Sequence, residues 1–348
     1  MPGVTAANMR VGLVARADDR GLGMMTWEVH RHLHITRTLV VREPGAEAHG
    51  FQPHLDRYRL PTVVTFNAPN LPEPTVRAWL DGLDVVYGAE TWYDERFPRW
   101  AAEAGVATVL HAMPEFYRPE MASTVTWAPT RWRLDLLPAG DMTRVVPVPV
   151  DPRPIARPHT HEMSRLRVVH VVGRRAAADR NGTLVLARAL PYLRDCDVRV
   201  WCQDRRLPAM RRPARVGLDV RLGGVADRWS MYEGADVLVL PRRYGGLCLP
   251  ALEAMACGLA VVMPDCSPND EWPTIRVPAV RDGELRAPGG VVERWNADPR
   301  ALAQTINRLG DRPELLTAAK AAAAGWAATH SWERLAGVYE TALADACT

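Results

Sequence analysis

The residues with the densest chemical content run from Ala235 to Gly258, ADVLVLPRRYGGLCLPALEAMACG, followed by Leu-Ala-Val-Val. An apolar strand leads into a glycine-bearing turn, and a helix follows with Pro250 in its first turn, where a missing N–H costs nothing. Gly245 and Gly246 allow backbone amides to approach a ligand closely. The helix N-terminus carries a positive partial charge suited to phosphate. Glu253 falls about one turn inside, within reach of a ribose hydroxyl pair. Spacing alone leaves a second reading open: an ordinary strand–turn–helix with a solvated glutamate.

A second candidate is Val171-Val-Gly-Arg-Arg-Ala-Ala-Ala-Asp-Arg-Asn-Gly182, a strand followed by an arginine-bearing loop. Fixed cations there suit a reaction in which a departing phosphate gains negative charge. A solvated arginine loop fits the same residues. In the first half, Asp19-Arg-Gly-Leu-Gly23 follows a strand and opens a helix. Gly21 and Gly23 either bring backbone near a donor or make a plain tight turn; without a third glycine they are not a dinucleotide fingerprint. His111 ends the apolar strand Ala107–His111, at the carboxyl edge where open α/β sheets bind ligands. It reads as a ligand-facing histidine or as a satisfied structural one. Glu90 and Glu115 lie at comparable positions and are candidates to orient or deprotonate a hydroxyl.

Two clusters carry less weight. His30, His32 and His34 alternate, but no carboxylate or cysteine completes a metal site at known spacing. Asp195-Cys-Asp197 resembles a metal-binding aspartate pair, yet it precedes a strand, at the edge away from ligands. No metal site is expected. The six cysteines form no C-x-x-C pair and read as reduced, buried thiols.

The elements that must position these residues alternate short apolar runs with helical patterns, which argues for parallel sheets with crossover helices. The expected strands of the first half are 10–16, 38–42, 62–66, 84–87, 107–111, 125–128 and 145–148. Helices are expected near 24–33, 75–80, 95–104 and 131–137. The proline-rich segment 149–165 reads as a linker. A second series follows: strands at 167–172, 198–202, 216–222, 236–241 and 260–263, helices at 182–193 and 250–256, a short helix near 230–233, and a mostly helical tail from Pro299. The expected division is 1–150, a linker over 151–165, 166–330, and a C-terminal helix over 331–348 that packs back toward the first domain. A chain of 348 residues is comfortable as two α/β cores.

Composition excludes little more. Hydrophobic residues make up 47% and charged residues 24%, as in a globular protein. The net charge of +3 gives no general affinity for nucleic acid. Nearly all the basic residues are arginine, with Lys320 the only lysine. No run approaches the ~20 apolar residues of a membrane span, and the first residues lack a signal-peptide core. The expectation is a soluble cytoplasmic protein.

The Ala235–Val262 stretch resembles the retaining glycosyltransferases of the GT-B fold, family-4 type. Gly246, Leu249, Pro250, Leu252, Glu253, Ala254, Met255, Ala256, Gly258, Val261 and Val262 match their motif. The resemblance implies that Glu253 binds the nucleotide ribose and that Arg174 and Arg180 grip the donor pyrophosphate. It implies that His111 contacts the transferred sugar, and that Gly21, Gly23, Gly245, Gly246, Leu247, Cys248 and Leu249 line the donor. The family's first glutamate is absent, since Gly245 stands there. Leu247 replaces its phenylalanine and Cys248 a glycine. Thr126–Trp132, Val145–Asp151 and the closing segment from Asp298 are similar to further family elements.

The implied fold is α/β, GT-B: two facing Rossmann-like domains with parallel sheets and a deep interdomain cleft. The implied activity moves a sugar from a nucleotide-diphosphate sugar to an acceptor hydroxyl with retention, with no cofactor and no metal. The Arg243–Pro250 frame and the arginine- and alanine-rich texture look like glycosyltransferases of actinobacterial viruses. That points to a virion protein or a hydroxylated DNA base as acceptor, with a small molecule as a further class. A sugar-nucleotide epimerase of the same fold and an inactive nucleotide-sugar-binding protein are the competing readings.

Overall fold

The computed structural model describes residues 8–58, 61–67, 70–155, 165–173, 179–204, 207–225 and 227–348. The chain divides into two compact units. The first comprises 1–148, 287–290 and 332–348, and the second 149–286 and 291–331.

The first unit is built on seven strands: β1 (Val11–Ala15), β2 (Arg37–Arg42), β3 (Thr62–Phe66), β4 (Val85–Ala89), β5 (Ala107–His111), β6 (Val125–Ala128) and β7 (Thr143–Val145). They pair in parallel in the order β3-β2-β1-β4-β5-β6-β7. A parallel sheet must cover both faces with crossover helices, so its central strands become apolar throughout. Every residue of β1 and β4 is buried accordingly, whereas edge strand β3 leaves Phe66 57% exposed. The main crossover helices are α1 (Gly21–His32), α3 (Glu73–Leu80) and α4 (Phe97–Glu103), with one short turn of helix, α2 (Phe51–Leu55), before β3. Trp79, Trp92, Phe97 and Trp100 fill the core against the α3–α4 side.

The second unit holds β8 (Leu166–Gly173), β9 (Cys196–Cys202), β10 (Val216–Leu222), β11 (Val237–Val239), β12 (Ala260–Pro264) and β13 (Ile275–Val277), parallel in the order β10-β9-β8-β11-β12-β13. Helix α5 (Thr183–Ala189) and α7 (Pro299–Asp311) pack together, as do α6 (Leu249–Ala256) and α8 (Pro313–Thr329). Residues 251–256 of α6 are all buried. A helix enclosed by the sheet and by α8 needs an apolar surface all round. A two-stranded ribbon, β14 (Ala279–Ala287) and β15 (Gly290–Ala297), precedes α7. The last helix, α9 (Trp332–Asp345), belongs to the first unit. There Tyr339 donates a hydrogen bond to the Pro147 carbonyl at 3.1 Å, and Arg144 pairs with Asp345 at 2.8 Å.

The sheets therefore form as expected, with three departures. Residues 131–137 make no α-helix: Arg133 takes φ +51 and only a 3₁₀ turn follows at Leu134–Leu136. The strand expected at 145–148 is displaced to Thr143–Val145, because the 146–148 segment runs on through prolines without ladder pairing. Strand β13 and the β14–β15 ribbon were not expected at all. Residues 156–164, within the expected linker, lie outside the described residues.

Candidate functional site

In the second unit, the loops at the carboxyl ends of β8 and β11 are locked to each other. Gly182, at φ +70, lies so close to β11 that an added Cβ would sit 1.9 Å from the Pro241 carbonyl oxygen. The Arg243 N–H donates to the Arg180 carbonyl at 2.8 Å, and the Arg180 guanidinium lies over the Tyr244 ring at 5.4 Å. Two arginine-bearing motifs some sixty residues apart in sequence thus meet beside the 245–248 turn. Arg174 lies outside the described residues.

The two helix N-termini at this edge differ. Asp179, itself at φ +52, caps α5: its carboxylate accepts from the N–H groups of Thr183 and Leu184 at 3.0 and 2.9 Å. Helix α6 begins after Cys248 with no side-chain cap and no acidic residue in its first turn. Its N-terminal partial charge is therefore not offset by a protein carboxylate of its own first turn. Gly245, preceding it, takes φ +114, a conformation that side-chain-bearing residues rarely adopt. Gly246, Leu247 and Cys248 complete the turn, and Leu249 starts the helix.

Glu253 lies on α6, 7% exposed. One carboxylate oxygen accepts from the Tyr232 hydroxyl at 2.7 Å, and the other meets Arg228 Nε at 3.0 Å. Arg228 in turn stacks over Trp229, as does Arg153 from the other side of the chain segment. This is an oriented, charge-compensated carboxylate, not a solvated one. Sequence reasoning missed Tyr232 and Arg228. It also missed Arg242, 3% exposed. Burial pushes the Cys248 thiol up, while Arg242 and Arg180 pull in the opposite direction, which places both cations around that side chain. The signal for Arg242 was its position directly after the apolar β11 run.

In the first unit, the carboxyl edge carries a different constellation. Arg16 pairs with Asp18 and Glu43 at 2.8 and 2.6 Å, and Arg20 pairs with Asp18 at 2.6 Å. Asp18 is 2% exposed. Burial raises the Tyr93 hydroxyl well above its ordinary range, with Arg16 opposing and Glu43, Glu90 and Asp18 adding to the rise. Glu90 and Tyr93 both have positive φ, +64 and +66, at the end of β4. Strain of this kind costs about 1–3 kcal/mol per residue and clusters at functional sites. Gly21 starts α1, and Gly23 follows where a Cβ would stand 2.3 Å from the Asp18 carbonyl oxygen. Its smallness lets the helix close onto the strand end. Glu115 is buried, with its carbonyl accepting from Gly289 N–H.

His111 ends β5 inside the first unit. Its side chain is fully buried among Tyr87, Trp127 and Tyr339, and Nδ1 lies 3.0 Å from the Tyr87 hydroxyl. Burial lowers its pKa to about 3, against a smaller opposing effect from the Val146 backbone. The ring is therefore held neutral inside an aromatic cluster. Part of that cluster is α9, whose Tyr339 covers this strand end within the same unit. Two of the alternating histidines are also packed on aromatic rings: His30 against Trp27 and Tyr58, and His32 on Trp332. Among the described residues, no group of three or more His, Cys, Asp or Glu side chains is placed to hold a metal ion. Among them, too, no helix is long and apolar enough to cross a membrane.

Two parallel α/β sheets of Rossmann type, one with its loops locked around a bare helix N-terminus and an oriented glutamate, define the GT-B class of architecture. Residues 167–312, most of the second unit, match the family model described as glycosyl transferases group 1. Among solved structures, the chain is similar to the Anabaena protein HepE in complex with UDP and glucose, with a TM-score of 0.70 and 12% identity over 97% of this chain and 100% of that one. It is similar to sucrose-phosphate synthase from Thermosynechococcus elongatus, at TM-score 0.63 and 14% identity over 97% and 100%. It also resembles the lipopolysaccharide outer core galactosyltransferase WaaB, at TM-score 0.62 and 13% identity over 96% and 100%. A search of curated protein sequences finds no match. The chain has the fold of these structures, and the match to the group 1 model falls almost wholly within its second unit.

Proposed function

We propose that this protein is a glycosyltransferase that takes a sugar from a nucleoside-diphosphate sugar and passes it to an acceptor hydroxyl with retention at the anomeric carbon. The observation that carries the reading is the second unit's edge: Arg180, the uncapped N-terminus of α6 and the oriented Glu253 stand on one continuous loop–helix frame. The assignment follows from chemistry. Glu253 accepts from the two ribose hydroxyls. Arg180, with Arg242 behind it, holds the pyrophosphate and stabilises the charge that grows on it as the sugar–phosphate bond breaks. The amides of Gly245–Leu249 approach the phosphate and the sugar. Arg174 belongs to this cation set by sequence. No nucleophilic side chain of the second unit's edge is needed, because in a front-face transfer the leaving phosphate itself takes the acceptor proton. HepE binding UDP and glucose is consistent with a nucleotide-sugar donor.

Acceptor recognition falls to the first unit, where Glu90 and Tyr93 stand strained at the strand edge beside Arg16, Asp18 and Arg20. A virion protein or a hydroxylated DNA base is the acceptor class that the viral resemblance supports, and metal-independence follows from the GT-B resemblance. The reading is tested by thermal shift with UDP-, GDP-, ADP- and dTDP-sugars beside NAD. One nucleoside-diphosphate sugar at about 100 times its dissociation constant adds ~2.7 kcal/mol of stability, while NAD adds none. Stabilisation by NAD alone would refute the assignment.

A further inference from the structure

The second unit contains a cavity of about 360 Å³ that the donor assignment does not use. It opens at the amino ends of β8, β9 and β10, the opposite edge of the sheet from Arg180 and Glu253. Arg167, Arg199 and Arg212 line it, together with Asp197 and Asp219. Its existence has a plain cause in sequence. Asp197, Arg199 and Trp201 project to the sheet face opposite the Cys196–Val198–Val200–Cys202 row, which packs into the core. Over this face the connection from β10 to β11 is only a 3₁₀ turn at Arg228–Met231, so no long helix covers it. Gly217 keeps the floor open, since a Cβ there would lie 2.3 Å from Asp197 Oδ1.

The charges around the cavity do not balance. Asp197 is already paired with Arg165 at 2.9 Å, and Asp219 with Arg221 at 2.9 Å and Arg199 at 3.6 Å. Arg212 Nε donates to the Val216 carbonyl at 3.3 Å, and among the described residues no ion pair joins the Arg167 or Arg212 guanidinium to a carboxylate. The lining thus carries three arginines against two aspartates, both of which are already paired. Burial first, and then Arg221 and Arg167, hold the Arg199 pKa below its ordinary value, against Asp219 and Glu233. Gly234, at φ +66, borders the cavity, and its backbone lies beside the Arg167 guanidinium. Guanidinium groups bind phosphate oxygens through paired N–H donors, and the volume falls in the ~300–1,000 Å³ range of small-molecule sites.

We infer that this cavity is a second anion site, separate from the donor site, which takes a small phosphorylated molecule with its phosphate or pyrophosphate between Arg167 and Arg212. Arg199 supplies a third positive charge, and Val169 and Ala235 the apolar wall. The site does not depend on the donor reading, and the test separates the two. Inorganic pyrophosphate is titrated calorimetrically into Arg180→Ala protein, in which the donor edge is weakened, and into the same protein also carrying Arg167→Ala and Arg212→Ala. Chloride at matched ionic strength is the control. The expected result is one equivalent bound by the Arg180→Ala protein, and at least a tenfold loss of affinity in the triple variant. Retention of the nucleotide-sugar thermal shift by an Arg167→Ala/Arg212→Ala protein shows that the fold and donor edge are intact. Absence of binding to the Arg180→Ala protein, equal binding by the triple variant, or equal displacement by chloride would each overturn the site.

Discussion

At the scale of single residues, Gly245 shows why a motif position and its backbone must be considered together. The family pattern places a glutamate there, and the sequence suggests a simple exchange of carboxylate for space. At φ +114 the exchange is also conformational, because any side chain strains this turn. Gly245→Ala and Gly245→Glu should therefore both reduce donor turnover by roughly tenfold or more, with alanine testing backbone strain without added charge. Wild-type turnover in the alanine variant would refute the strain argument, and a gain in the glutamate variant would show that the site has decayed. Arg180→Ala should lower turnover by roughly 10²–10³-fold, in line with loss of one transition-state donor, and Arg180→Lys by less; steady-state assays on the preferred donor decide it. His111 and His170 make a pH prediction. Burial lowers their pKa values to about 3 and about 4, from 6.5 in the unfolded chain. Between these limits the unfolded state binds more protons, so stability is full above pH ~6.5 and falls as pH drops toward 4. Each histidine contributes up to ~1.4 kcal/mol per pH unit. Urea melts from pH 7.5 to 5 should show this slope, reduced in His111→Phe; an unchanged slope in that variant would exclude His111 as a source.

At the scale of elements, the sole lysine is structural. Lys320 on α8 reaches Asp236, which is fully buried before β11, at 3.1 Å. The Asp236 carboxylate also accepts from the Arg167 backbone N–H at 3.0 Å, so the pair ties the helix to two strands. Removing one partner of a buried pair costs about 3–5 kcal/mol, and Lys320→Ala should destabilise by that order in equilibrium unfolding. A loss under about 1 kcal/mol would mean that water replaces the cation. Composition shows that Lys320 is unusual but gives no hint of its partner, since the contact spans 84 residues. The same limit explains what was legible elsewhere. Strands buried on both faces are apolar runs with sharp ends: Ala107–His111 was placed to the residue, and Val85–Ala89, expected at 84–87, to within two. The β14–β15 ribbon is mostly exposed, with charged residues at Arg281, Asp282, Glu284 and Arg286, and lacks that contrast. Glu253 and Arg180 were legible because local motifs carry them. Tyr232, Arg228 and Arg242 became visible only when the sheet brought separate loops together. The aromatic cover over His111 was not legible, because Tyr339 comes from the far end of the chain.

At the scale of the molecule, the chain returns to its first unit at the end, and that return should govern how the protein unfolds. Tyr339 on α9 is 1% exposed and packs edge-on against Trp127 at 4.9 Å, beside Tyr87, His111 and Trp332. Its hydroxyl also satisfies the Pro147 carbonyl just past β7. Truncating a buried aromatic side chain costs about 3–5 kcal/mol, through lost burial and the cavity left behind, and here a hydrogen bond is lost as well. All these contacts lie within the first unit, so the cost should fall on that unit's stability and leave the second unit's own core, centred on Val198, Val200, Val237 and Ile306, untouched. In limited proteolysis across a urea series, Tyr339→Ala should therefore lose protection of the 8–148 region at lower urea than the wild type. Peptides from 166–331 should keep their midpoint, and nucleotide-sugar stabilisation of those peptides should persist. If both regions shifted together by the same amount, the two units would unfold as one cooperative body and α9 would be a stabiliser of the whole chain.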